Sequence, residues 1–320
     1  MHAIRLAMHG GPEVLCWEEV PDLQPGDGQV RVRVAAAGVN YIDTYHRRGL
    51  YPVDLPFVPG LEGAGVVDAV GGGVRRWKVG DRVAWTSAQG SYAEQTLVAA
   101  DQAVAVPEGI NLEIAAAAML QGMTAHYLVH DTYPLRQGEL CLVHAGAGGV
   151  GRLLIQMAVQ AGARVFATAG TPEKRQIAES LGSEVACDYS EFVDVIEEAA
   201  GQRPLHVIYD GVGKTTFFDG LALTRIRGMV VLYGQSSGPV EPLDLQELNR
   251  NGSLYVTRPS LFHYIATPGE LEHRSGEVFR GILDGWLDVT VSQRFAMSDA
   301  SAAHLALEGR RTTGKVLLIP

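Results

Sequence analysis

Residues 139 to 161 constrain this 320-residue chain more than any other stretch. An apolar run of strand length, Leu140-Cys141-Leu142-Val143, meets Gly146, Gly148 and Gly151 at GxGxxG spacing, and a helical pattern from Leu153 to Ala158 follows at once. In such a strand-turn-helix the first glycine makes the tight turn and the second lets the backbone approach a pyrophosphate. The third lets helix and strand pack closely. Ala147, Gly149 and Val150 complete the turn. The unpaired N–H groups and the positive end of the helix then face the phosphates. The spacing alone is weak in a chain with 38 glycines. The strand before it, the helix after it and a second strand at 164–168 supply the context, and the stretch reads as a dinucleotide site.

Beyond it, strands and helices alternate. The pattern predicts strands over 163–169, 184–187, 205–209, 228–233 and 253–257. Helices are expected over 172–181, with Pro172 in the first turn and Gly182 after the end, and over 191–200 and 215–223. This is an α/β chain with a doubly wound parallel sheet. The first hundred residues differ. Gln29-Val30-Arg31-Val32-Arg33-Val34 alternates with period two, as a half-buried strand does. Further strands at 63–70, 80–85 and 92–99, separated by Gly and Pro turns, suggest a compact barrel-like β domain. Residues 112–129 and 269–287 read as helical, and 315–319 as a strand that returns to the first domain.

Composition removes several function classes. A chain of 320 residues is long enough for two domains and buries roughly three quarters of its unfolded surface. Its 47% apolar and 19% charged residues describe an ordinary globular protein. A net charge of −10 argues against a nucleic-acid partner, which needs a basic face. No apolar run approaches the eighteen or so residues that span a bilayer, so no membrane partner is expected. The N-terminus has no signal-peptide pattern. Cys16, Cys141 and Cys187 are far apart with no CxxC pair, which fits reduced thiols in the cytoplasm.

The segments Gly10-Gly11-Pro12-Glu13-Val14-Leu15, Gly38-Val39-Asn40-Tyr41-Ile42-Asp43-Thr44-Tyr45, Gly49-Leu50-Tyr51-Pro52, the glycine-rich turn, and Gly252-Ser253-Leu254-Tyr255-Val256-Thr257-Arg258-Pro259-Ser260 carry a resemblance. From end to end the chain resembles the zinc-independent quinone oxidoreductases of the medium-chain dehydrogenase/reductase superfamily. The resemblance implies a GroES-like β-barrel domain from residues 1–122 and 260–320 around a Rossmann domain over 123–259. It also implies NADPH as cofactor, a quinone or other small electrophile as acceptor, and a homodimer joined near 253–257.

Zinc-dependent members of the superfamily carry a Cys where this chain has Val39-Asn40 and a His where Leu61 precedes Glu62, together with a cysteine cluster absent here. Leucine ligates no metal, and tetrahedral zinc needs three or four N, S or O donors in one place. His126 and His130 stand at i, i+4, but Tyr127 follows the first, so there is no HExxH. His46 has no visible ligand partners. No metal is expected.

A chain that selects NADH places an acid at the end of the second strand to hold the ribose 2′-hydroxyl. By register that position is Ala169, in Thr168-Ala169-Gly170, and a small neutral residue leaves room for a 2′-phosphate. Lys174 is within reach of that phosphate or is a solvated helix residue. By resemblance Tyr189 lies beside the same group and Thr124, with Tyr127, by the nicotinamide. Tyr233-Gly234-Gln235-Ser236 ends a strand at the carboxyl edge of the sheet, where ligands bind. Arg258 and Lys315 enter through the resemblance alone.

By the same resemblance Asn40, Asp43 and Tyr45 match family positions lining the catalytic cleft, and Tyr51 follows on the same loop. These side chains can orient an acceptor carbonyl, or Asn40 and Asp43 can cap their own loop. Two other activities stay open: reduction of an enone or alkenal at its double bond, and crystallin-like binding of NADPH with little turnover.

Overall fold

The valines at 30, 32 and 34 lie in an eleven-residue strand, Gln29–Val39, in which all three are buried while Arg33 is exposed. The computed structural model describes all 320 residues, and this strand is the third in the chain. In order come β1 (His2–Arg5), β2 (Cys16–Glu19), β3 (Gln29–Val39), α1 (Tyr41–Arg47), β4 (Glu62–Val70), β5 (Arg82–Thr86), β6 (Gln95–Ala99), β7 (Ala103–Ala105) and α2 (Leu112–Tyr127). The alternating part follows as β8 (Leu140–Val143), α3 (Gly149–Gln160), β9 (Arg164–Thr168), α4 (Pro172–Ser180), β10 (Val185–Cys187), α5 (Phe192–Ala200), β11 (Leu205–Asp210), α6 (Phe217–Leu223), β12 (Thr224–Leu232), α7 (Leu245–Arg250) and β13 (Tyr255–Thr257). The chain closes with α8 (Pro268–Leu283), β14 (Val291–Ala296), α9 (Ala300–Glu308) and β15 (Lys315–Ile319).

Two units result, Met1–Met123 with Ile265–Pro320, and Thr124–Tyr264. Residues 260–264 stay with the second, where the Tyr264 ring stacks on Tyr127 at 4.2 Å.

The first unit holds a seven-stranded sheet in the order β14-β15-β3-β4-β5-β7, with β6 also paired to β3. The length of β3 lets it carry β4, β6 and β15 at once. The alternating valines meet Trp85, Leu318 and Met297 in its core. The last strand of the chain thus pairs with one of the first.

The second unit holds six parallel strands in the order β10-β9-β8-β11-β12-β13. This doubly wound order reverses between β8 and β11, the place where such sheets bind ligands at their carboxyl ends. Phe166, Ile208, Phe192, Ile196 and Phe217 fill the core beside it. Helix α4 starts as its sequence demands, with Pro172 in the first turn and Thr171 Oγ1 accepting the Lys174 N–H at 3.3 Å.

One expectation fails locally. Residues after Asn40, expected as a loop, form α1. A seven-residue helix with buried charge at both ends shows no apolar period.

The turn between β8 and α3 is packed to its limit. A Cβ on Gly151 would lie 2.2 Å from the Ala145 carbonyl oxygen, a backbone atom that cannot step aside. Gly151→Ala should therefore cost about 1–3 kcal/mol, read from urea unfolding. Gly276→Ala, in α8 with open space around it, should instead stabilise by about 0.5–1 kcal/mol. Equal responses would show that the turn has slack.

Candidate active site

Within the second unit the glycine turn opens α3, a twelve-residue helix whose N-cap is Gly148. The first N–H groups of such a helix have no intrahelical acceptor and favour an anion. Gly146 leaves equally little room, since its Cβ would meet Ala167 Cβ at 2.9 Å. Ala147 and Gly151 are buried, and Gly148, Gly149 and Val150 are half-buried along the turn. The Thr168 hydroxyl bonds His144 Nδ1 at 2.9 Å, and the Gly146 N–H donates to the Thr168 carbonyl at 2.9 Å. Asp210 braces the opposite side. It is fully buried and accepts from the Val212 and Gly213 N–H groups and the Thr216 hydroxyl at 2.7, 2.9 and 2.8 Å. An Asp-Gly-x-Gly run at a strand end was the signal for it.

Ala169 is 2% exposed and carries no charge to oppose a phosphate, while Gly170 beyond it is exposed and Lys174 and Tyr189 are half-buried. The residues present fit a dinucleotide with a 2′-phosphate: glycines that a Cβ would fill, a helix N-terminus, and a neutral second-strand end. Tyr233, Gly234, Gln235 and Ser236 follow β12 and are all half-buried, with the Tyr233 N–H donating to the Asp210 carbonyl at 2.8 Å. Thr124 is buried at 7% exposure, and Arg258 is exposed beyond β13. Tyr127, also expected at the cofactor, is 1% exposed and lies flat on Tyr264.

Within the first unit a polar network runs through the interior. The Lys315 ammonium pairs with the Glu62 carboxylate, both fully buried, and donates to Asn40 Oδ1 at 2.8 Å. Asn40 Nδ2 donates to Glu62 Oε2 at 2.8 Å and to the Gly38 carbonyl at 3.4 Å, and Gln121 donates to Asn40 Oδ1 at 3.3 Å. The other Glu62 oxygen accepts the Leu120 N–H at 2.6 Å. Two of the expected site residues lie within this network. Lys315, expected at the cofactor by resemblance, is 1% exposed and has its charge matched by Glu62. Asn40 spends its amide on Glu62, Gly38, Lys315 and Gln121, so no N–H remains for an acceptor.

Asp43 is likewise turned inward. It is fully buried, and its Oδ2 accepts the Asn40 N–H at 2.8 Å and the Tyr92 hydroxyl at 3.0 Å, while Oδ1 has no partner. The carboxylate caps α1 as the third helical residue, the local role open to it from sequence. Burial pushes its pKa up to about 7.

Arg47 fixes the proton pattern behind Asp43. Arginine only donates, so His304 Nδ1 accepts from Arg47 at 3.0 Å and Nε2 carries the hydrogen, which goes to Tyr92 Oη at 3.2 Å. Tyr92 passes its own hydrogen to Asp43. Burial, with Arg47 beside it, holds the His304 pKa down at about 3, so the ring is neutral. Arg47 is matched in turn by Glu308 at 2.9 and 3.0 Å. No sequence pattern announced Tyr92, which bonds Asp43 directly, or His304, which reaches it through Tyr92.

Of the four residues expected at the acceptor, Tyr51 is half-buried and the other three are buried. The Tyr45 and Tyr51 rings meet edge to face at 5.3 Å, and His46 closes on Tyr51 at 6.1 Å. Burial lowers the His46 pKa. The His126 and His130 rings pack at 4.5 Å, and no three His, Cys, Asp or Glu side chains gather to hold a metal.

The profile described as alcohol dehydrogenase GroES-like domain matches residues 26–108, and the one described as zinc-binding dehydrogenase matches residues 149–266. The quinone oxidoreductase of Pseudomonas aeruginosa is 44% identical over 321 residues, covering 99% of each chain. The 2-haloacrylate reductase of a Burkholderia species is 39% identical, covering 97% of this chain and 96% of the relative. The crystal structure of Escherichia coli quinone oxidoreductase complexed with NADPH superposes with a TM-score of 0.98 at 42% identity over 100% of both chains.

The buried pair makes the roles separable. Lys315→Met should cost about 3–5 kcal/mol in urea unfolding, because it leaves the Glu62 charge buried and unmatched. Adding Glu62→Gln should recover part of that loss, and NADPH affinity of the folded protein should hold throughout. A selective loss of NADPH affinity in a stable Lys315→Met protein would return Lys315 to the cofactor site.

Proposed function

We propose that this chain, which belongs to the quinone oxidoreductase family of the medium-chain dehydrogenase/reductase superfamily, reduces quinones with NADPH. The observation that carries the reading is the glycine turn at the head of α3, set beside the neutral Ala169 at the end of β9. When bound, the nicotinamide would supply reducing equivalents, as a hydride from its C4 carbon or as single electrons.

The chain's own residues bind and orient. Gly146 to Gly151 hold the pyrophosphate against the N-terminus of α3. Lys174 and Tyr189 hold the 2′-phosphate. Thr124 and the 233–236 turn hold the nicotinamide half, and Arg258 stands at the rim. Tyr45 and Tyr51 donate hydrogen bonds to the acceptor oxygen as it gains charge, Tyr51 being the more open of the two. A quinone needs modest help, because its reduction is already favourable. Zinc has no part, as Leu61 provides no ligand and no other donors gather.

A second acceptor class has specific support. The Burkholderia relative is a 2-haloacrylate reductase, so an activated carbon–carbon double bond is the rival to a quinone carbonyl. The working form is a homodimer in the cytoplasm. The outer edge of β13 has no neighbour in its sheet, and Tyr255 on that strand is 59% exposed.

Turnover of 1,4-benzoquinone should exceed that of a short enone, with NADPH preferred over NADH by about a hundredfold through charge-assisted contacts to the 2′-phosphate. Activity should survive a strong chelator. Faster enone turnover would favour the rival, and tight NADPH binding without any turnover would mark a binding protein. Tyr51→Phe should slow quinone reduction by about 1–2 kcal/mol, the ordinary worth of one hydrogen bond, with NADPH affinity unchanged. An unaltered rate would remove Tyr51 from the site.

The parent should sediment as two 34.3 kDa chains and Tyr255→Lys as one. A monomeric parent would refute the dimer.

A further inference from the structure

The loop after β10 carries a carboxylate where a cofactor with a 2′-phosphate tolerates one least. Strands β9 and β10 are register partners, Cys187 opposite Thr168, and the Ala169 N–H donates to the Cys187 carbonyl at 3.0 Å. Asp188 therefore stands beside Ala169, the position whose neutrality admits the phosphate. The next residue, Tyr189, brings its ring within 3.7 Å of where a Cβ on Gly170 would be. The 188–189 loop and the 169–170 turn thus line one corner.

Asp188 is held there twice. Its Oδ1 accepts from the Ser190 N–H at 3.1 Å and the Ser190 hydroxyl at 2.9 Å, while Oδ2 lies 3.4 Å from Arg175 Nη1. The Ser190 bonds, with Arg175 beside them, keep the Asp188 carboxyl below its usual range and so ionised. Arg175 stands on α4 directly after Lys174. Its side chain is 26% exposed and that of Asp188 35%, so the pair adds little to stability. Its effect is electrostatic: one cation and one anion fixed side by side at the corner. Ser190 keeps the anion in place whether or not the cation is present.

We propose that Arg175 and Asp188 together set how strongly the chain prefers NADPH to NADH. Arg175 is a second cation, after Lys174, facing the 2′-phosphate, and Asp188 both anchors it and offsets its charge. The inference rests on the NADPH reading above. Removing Asp188 leaves the cation unopposed and tightens the hold on a 2′-phosphate. Removing Arg175 leaves a fixed carboxylate that repels the phosphate and can accept a 2′-hydroxyl.

The test uses binding of fragments that lack the nicotinamide, so no acceptor chemistry enters. Calorimetric titration of the full chain with 2′,5′-ADP and with 5′-AMP gives a ratio of affinities for each variant. Asp188→Asn should raise that ratio about fivefold, and raised salt should shrink the gain, as expected of screened charges at a partly exposed site. Arg175→Gln should lower it about tenfold with 5′-AMP binding unchanged or tighter, and Arg175→Lys should stay within about threefold of the parent. The double variant should return to within about threefold of the parent. Equal shifts for both fragments, or no shift in either single variant, would overturn the assignment of this pair while leaving the NADPH reading intact. A parent that binds 2′,5′-ADP no better than 5′-AMP would overturn the NADPH reading and this inference with it.

Discussion

The buried contact between Lys315 and Glu62 is the interaction on which the first unit depends. It joins β15, β4, the Asn40 residue that starts α1, and the Leu120 N–H of α2 at a single point. Two charges inside a protein are not a gift of stability, because desolvating them costs as much as their attraction returns. The pair is tolerable here because nearly every remaining valence is filled: the second Glu62 oxygen by a backbone N–H, and the ammonium by Asn40. It also dictates a glycine. A Cβ on Gly38 would lie 2.2 Å from Glu62 Oε2 and 2.6 Å from Lys315 Cε, so β3 passes the pair only as bare backbone.

A second buried relay steadies the helix that follows. Arg47, His304, Tyr92 and Asp43 form a chain whose direction is set by an arginine that only donates. The relay pins both ends of α1, Asp43 in its first turn and Arg47 in its last. Tyr45 lies between them, and Tyr51 leans on Tyr45. The two tyrosines are thus held by residues packed deeper than themselves. Under the proposed role of these tyrosines as donors to the acceptor such backing matters, since a loose hydroxyl stabilises developing charge poorly.

How far the sequence reveals this depends on how far apart the partners lie. The glycine turn, the parallel strands and the Val30-Val32-Val34 alternation are local patterns, and each appears where its residues place it. Asn40 and Asp43 carry the right chemistry for a catalytic loop, and their inward orientation comes from Lys315, 275 positions from Asn40, and from Tyr92, 49 positions from Asp43. Tyr127 entered through resemblance, and the stack on Tyr264, 137 positions on in the chain, leaves no mark in the local sequence. Lys315 entered through resemblance with no local pattern behind it. What single-sequence patterns miss here are long-range polar contacts, which leave no period to read.

The discontinuous first unit also has a timetable. Glu62 leaves the ribosome 253 residues ahead of the lysine that neutralises it. At translation rates of about 5–20 residues per second, the wait is roughly ten to fifty seconds. For that interval the carboxylate has no cation and β3 lacks β15, so burying Glu62 is costly and the nascent unit stays hydrated and open. The contiguous Thr124–Tyr264 unit has no such dependence. Synthesis therefore completes the cofactor-binding half first, and the half that carries Tyr45 and Tyr51 closes only when the final strand arrives.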